Sequence, residues 1–130
     1  MGSAEKKQRR EINSFLYRFS VRHQDKKYPL REHAAARDMI VEYASPLEKL
    51  FENVPTRYSI AIFAWNLSLA PEDKRQELLE EFLNPLVQDN KEGKSTITDL
   101  MFSLIERRET LYPDETLVIV PHEETRTAAE

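Results

Sequence analysis

The chain contains no cysteine, which excludes disulfides, thiolate nucleophiles and cysteine-based zinc sites. Glycine is nearly absent too, with Gly2 and Gly93 alone. No GxGxxG or P-loop can be assembled from them, so Gly-rich phosphate cradles are excluded. A sandwich or barrel, whose many turns consume glycine, is disfavoured as well. The longest nearly apolar stretch runs from Ile60 to Ala70, far short of the roughly 20 residues that span a bilayer. The opening "MGSAEKKQRRE" has charge without an apolar segment after it, so no signal peptide is read and the cytoplasm is the expected location. Gly2 carries no myristoylation pattern, because Lys6 stands where Ser or Thr belongs.

What remains is 130 residues, 40% hydrophobic and 32% charged, a size that suits one domain with a core of its own. The net charge of −4 hides an asymmetry. Residues 1–37 hold ten basic and four acidic side chains; residues 38–130 hold nine and nineteen. Basic segments of this kind meet phosphate or an acidic surface, the chain's own acidic body included.

Helical spacing dominates. Ile12, Phe15, Leu16 and Phe19 fall on one face of a helix read from about Ala4 to His23, with Lys6, Lys7, Arg9, Arg10, Arg18 and Arg22 on the remainder. Residues 1–27 are therefore expected to form a basic amphipathic N-terminal helix, broken before Pro29. A second helical stretch starts near Leu30 and keeps Ala36, Met39, Ile40, Tyr43, Leu47, Leu50, Phe51 and Val54 inward. It restarts at Ser45, where "SPLE" reads as an N-cap, a first-turn proline and a capping box. "TRYSIAIFAWNLSLA" is apolar nearly all round, the mark of a buried helix, with Thr56 as its expected N-cap. The next helix begins at Pro71 with Glu72 and Asp73 in its first turn and turns Leu78, Leu79, Phe82, Leu83 and Leu86 inward; Pro85 should kink it. "QDNKEGKS" reads as a loop, and the last helix runs from about Thr96 to Tyr112. The expected fold is mainly α: one helical domain over 1–130, a compact bundle of about five helices with a short C-terminal β-strand and a flexible tail over 123–130.

That strand, Thr116, Leu117, Val118, Ile119 and Val120, is the clearest β signal in the chain and follows a Tyr112-Pro113 turn. It is apolar on both faces and asks for burial. "KYPL" is short and carries Pro29, and "STIT" is wanted by a helix, so no partner strand is evident within the chain. These five residues are therefore expected to form an interface, either with a second copy in a homodimer or with a partner protein.

Catalytic chemistry finds little support. His23, His33 and His122 form no metal-binding spacing, and Glu77, Glu80, Glu81 and Asp73 read as a solvated face without the E-x-x-H pairs of a di-iron bundle. Neither metal nor cofactor is expected. Asn66, inside the apolar helix, reads as a satisfied amide or as part of one wet stripe with Ser59. Arg18 and His23 in "RFSVRH" give R-x-x-x-x-H, which resembles the short motif of the HEPN ribonuclease families. That resemblance, confined to six residues, implies an arginine and a histidine acting together on an RNA phosphate.

The leading expectation is thus a non-enzymatic protein-interaction module, a small regulator, adaptor or accessory subunit, acting through the basic first helix and the C-terminal strand. The alternative is nucleic-acid binding through Lys6, Lys7, Arg9, Arg10, Arg18, Arg22, Lys26 and Lys27, weak and salt-sensitive because the chain as a whole is acidic. A HEPN-like ribonuclease comes third.

Overall fold

The computed structural model describes residues 2–87 and 91–121. The fold is mainly α, with five helices and one small antiparallel sheet. The helices are α1 (Gly2–Leu16), α2 (Ala34–Tyr43), α3 (Val54–Leu69), α4 (Glu72–Val87) and α5 (Lys91–Leu111). The strands are β1 (Phe19–His23), β2 (Lys26–Pro29) and β3 (Val118–Pro121), in sheet order β2-β1-β3. The chain divides into two compact units, Met1–Ala61 with Leu117–Glu130, and Ile62–Thr116, the boundary falling inside α3. The sequence asymmetry follows this division: the first unit carries thirteen basic and eleven acidic residues, the second six and twelve.

In the first unit, the expected helix over residues 1–27 ends at Leu16, and its second half is a β-hairpin instead. Phe19 continues the helical spacing, but "FSVRH" gains two strand neighbours, and that pairing outweighs a weak local preference. β1 and β2 pair as Ser20↔Pro29, Val21↔Tyr28, Arg22↔Lys27 and His23↔Lys26. The two-residue loop between them sets Gln24 at φ 61°, while Asp25 stays at negative φ. That is the pattern of a type II′ turn, with glutamine where glycine is favoured.

β1 also answers the question left by the C-terminal strand. β3 pairs with it antiparallel, as Phe19↔Pro121, Ser20↔Val120, Val21↔Ile119 and Arg22↔Val118. The expectation that the strand lacks a partner in its own chain is thereby corrected: the partner is the segment read as helix. Burial follows the pleat, with Leu117 and Ile119 buried and Val118 and Val120 half-buried; Thr116 precedes the strand and is exposed.

Two further corrections concern the connection into α3. "SPLE" does not restart a helix. Ser45–Leu47 makes a single 3-10 turn without a side-chain cap, and Leu50, expected inward, is 61% exposed. α3 is capped by Asn53 rather than Thr56: the Asn53 Oδ1 accepts the Thr56 N–H at 2.9 Å and the Thr56 hydroxyl at 3.0 Å. At α2 the cap is His33, whose Nδ1 accepts the Ala36 N–H at 3.2 Å, so this histidine has a structural task.

The second unit holds the rest of α3 together with α4 and α5. The Phe63 and Phe82 rings stack with centroids 3.9 Å apart, Trp65 lies 5.5 Å from Tyr112, and Leu79, Leu83, Met101 and Leu104 are buried. Leu78, expected inward, is on the exposed side. α4 continues through Pro85, and α5 begins at Lys91, inside the stretch read as a loop. Within its first turns the Thr96 hydroxyl donates to the Glu92 carbonyl at 2.9 Å and that of Thr98 to the Lys94 carbonyl at 2.7 Å. Lys94 also reaches Glu80 of α4 at 2.7 Å. Past α5, the Glu115 N–H donates to the Tyr112 carbonyl at 3.2 Å, closing the expected Pro113 turn.

Candidate functional site: a basic groove along the first helix

Among the residues of α1 whose side chains are described, Leu16 is buried, while Ile12 and Phe15 are half-buried. Lys6, Lys7, Arg9 and Arg10 are exposed along it, as are Arg18 just past its end and Arg22 on β1. The helical repeat sorts these into two stripes. One stripe, Lys7, Arg10, Ser14, Phe15 and Arg18 with Glu11 beside them, walls a groove of about 560 Å³ whose other wall is Val54 and Pro55 at the start of α3. The other stripe, with Arg9 and Ile12, faces Arg37, Asp38 and Val41 of α2 across a second open groove of about 590 Å³.

The first groove combines three cations with an apolar floor. The Arg18 guanidinium carbon stands 6.0 Å over the Phe15 ring, and that ring lies 5.3 Å from Phe19. The Phe15 face is thus already part of a cation–aromatic stack. Ion pairs join Arg75 and Arg108 to Glu109 and Lys94 to Glu80, and among the described residues none engages Lys7, Arg10 or Arg18. On the hairpin, Arg22 and Lys27 occupy facing positions, both exposed. Tyr17 receives two more cations, with the Arg31 and Arg37 guanidinium carbons each 5.5 Å from its ring centre. Arg37 is held in place by Leu30 and Arg31, whose carbonyls accept from its Nη1 at 3.0 and 2.8 Å.

A second unusual feature lies at the foot of α3. Arg57 is 2% exposed, and its Nε donates to the Phe51 carbonyl at 3.0 Å. Its Nη1 and the Tyr58 hydroxyl are both buried, and neither has a partner in hydrogen-bonding geometry among the described residues. Burial pushes the Tyr58 hydroxyl pKa up, and the neighbouring Arg57 charge opposes that shift. Sequence reasoning passed over Arg57, since a single arginine before an apolar run looks like an ordinary exposed helix start.

Arg18 precedes β1 and His23 is its last residue, both exposed, so the two do not share a helix. A run of five residues in a strand puts their Cα atoms about 16 Å apart. Asn66 is half-buried and Ser59 exposed, on the wetter side of α3. Asp73, Glu77 and Glu81 are exposed, and no group of metal-binding side chains occurs among the described residues. His122 and the tail 123–130 lie outside the described residues. No helix among the described residues is long and apolar enough to cross a membrane. Comparison with protein-family models, with curated proteins and with solved structures finds no match for this chain.

Proposed function

We propose that the chain is a non-enzymatic interaction module whose α1 groove docks an acidic segment of a partner protein. The observation that carries this reading is the groove itself: Lys7, Arg10 and Arg18 surround the apolar Phe15, Val54 and Pro55, and none of the three cations has an ion-pair partner among the described residues. Exposed cations steer an acidic ligand, and the apolar floor rewards a hydrophobic residue set between its carboxylates. β3, an outer strand of the sheet, provides a second contact line, to another copy or to the same partner.

The runner-up is nucleic-acid binding. It is favoured by the density of exposed cations on α1 and by Lys26 and Lys27 on the hairpin next to it in sequence. It is disfavoured by the near-neutral balance of the unit as a whole.

Fluorescence anisotropy separates the two. A labelled peptide alternating glutamate with phenylalanine, a labelled single-stranded DNA and a labelled RNA are each titrated at about 50 and 200 mM salt. Docking of the peptide should persist at the higher salt and fall at least about tenfold when Lys7, Arg10 and Arg18 are changed to glutamate. Submicromolar nucleic-acid binding that survives the higher salt, with no peptide binding, would promote the alternative.

A further inference from the structure

Two guanidiniums share one aromatic ring beside the second groove. The Arg31 and Arg37 guanidinium carbons each stand 5.5 Å from the Tyr17 ring centre, so they lie within twice that distance of one another. Like charges this close repel, and the negative faces of the ring offset only part of that cost. Among the described residues, the ion pairs include neither arginine. Arg37 is also held in one orientation. Its Nη1 donates to the Leu30 carbonyl at 3.0 Å and to the Arg31 carbonyl at 2.8 Å, which uses both hydrogens of that nitrogen. That leaves the opposite edge, Nε with Nη2, the edge with which an arginine grips an oxyanion side-on. Arg37 lines the open groove of about 590 Å³ together with Arg9, Gln8, Asn13 and Asp38. We propose that this groove binds a phosphate monoester, gripped by the Nε–Nη2 edge of Arg37 and paired with Arg31 and Arg9. The site uses the α1 stripe of Arg9 and Ile12, not that of Lys7, Arg10 and Arg18, so it goes beyond the docking reading and does not rest on it.

Charge and oxygen count both select this ligand. Three arginines against Asp38 leave a surplus of two positive charges, and a phosphate monoester carries about −1.5 to −2 near pH 7. A carboxylate carries one negative charge, and a single side-on arginine occupies both of its oxygens. A monoester has three terminal oxygens, so Arg37 takes two and leaves the third for Arg31 or Arg9. A phosphodiester of a nucleic-acid backbone has a single charge and only two such oxygens. The carbonyl bonds of Arg37 fix its guanidinium in advance, which reduces the side-chain freedom lost on binding. A small phosphorylated molecule and a phosphorylated side chain present the same group, and the test tells them apart.

The test follows the amide NMR signals of residues 30–38 and the Arg37 Nε–H signal in the full chain, at fixed low ionic strength. The probes are free phosphoserine, a glycine-flanked phosphoserine peptide and dimethyl phosphate. Free phosphoserine should move the Arg37 Nε–H signal and saturate with a dissociation constant on the order of millimolar. Arg31 is exposed, and Arg31→Gln removes its cation without touching the carbonyl bonds of Arg37; binding should weaken about tenfold. Arg37→Lys keeps the charge, loses the fork and should weaken binding at least as much. A peptide that binds about tenfold tighter than free phosphoserine identifies a phosphorylated protein as the source, and equal affinity identifies a small phosphorylated molecule. Absent shifts, dimethyl phosphate binding as tight as that of phosphoserine, or phosphoserine binding that both substitutions leave unaltered overturns the inference.

Discussion

Arg22 of β1 stands directly across from Lys27 of β2, two cations in facing positions of one hairpin, both turned to solvent. Like charges in that position work against the pairing, whereas an opposite pair contributes about 0.2–1 kcal/mol. Lys27→Glu should therefore raise stability by about 0.5–1 kcal/mol, read as a higher melting temperature. The same change should weaken the acidic peptide. A variant that gains stability and keeps full affinity would detach the hairpin from the docking surface.

Arg57 invites a comparison of two substitutions. Arg57→Ala removes a buried stem and its bond to the Phe51 carbonyl; the expected loss is about 2–4 kcal/mol. Arg57→Met keeps most of the apolar volume while removing a buried charge whose Nη1 has no partner among the described residues. Its cost should be about 1 kcal/mol or less. Urea denaturation measures both, and a methionine variant less stable than the alanine one would contradict this role for Arg57.

Trp65 is 0% exposed, with Tyr112 beside it. Its fluorescence should peak at the blue end of the tryptophan range, and Trp65→Ala should cost about 3–5 kcal/mol. For a domain whose whole stability is about 5–15 kcal/mol, that is enough to unfold a large share of molecules at modest temperature. An emission maximum like that of free tryptophan in water would contradict the placement.

Two groups bear on how stability varies with pH. The Tyr58 pKa is raised above its ordinary 10.0 by burial, so its contribution is complete below that pH and declines as pH rises beyond it. Tyr58→Phe should remove that decline, and with the hydroxyl unpartnered among the described residues, it should be neutral or stabilising by about 1 kcal/mol at neutral pH. At the acid side, the hydrogen bond from Lys94 lowers the Glu80 pKa below 4.5. Its small stabilisation is present above that pH and lost as pH falls through the lowered value. Melting temperatures across about pH 3–6 should flatten in Lys94→Met if the pair is responsible.

The helical layer was legible because its signals are dense and local. α3 is apolar nearly all round, α4 opens with Pro71, Glu72 and Asp73, and the turn at Pro113 follows from the proline itself. The sheet was not legible, for a reason visible at Phe19. That residue continues the spacing of Ile12, Phe15 and Leu16 and belongs to a strand all the same. "FSVRH" has one β-branched residue, and its turn is Gln24-Asp25 rather than a glycine-containing pair, so neither strand composition nor turn chemistry announces it. Its identity depends on β3, about a hundred residues away, which local reading cannot weigh. The groove was half legible. The cations of α1 stand out in the sequence, but the groove's opposite wall does not: the spacing of Val54 reads as core, and nothing marks Pro55.

The pairing of β1 with β3 also sets a timetable for synthesis. Every residue of the helical unit, Ile62–Thr116, leaves the ribosome before Val118 does. At about 5–20 residues per second, β1 waits several seconds or more for its second neighbour. During that interval the hairpin of β1 and β2 presents an open edge bearing Ser20 and Val21, the kind of surface that recruits stray strands. Arg22, Lys26 and Lys27 crowd the same hairpin with positive charge, so two nascent copies on neighbouring ribosomes repel each other there. The cations of the hairpin guard the unfinished chain until Val118–Pro121 arrives to close the sheet.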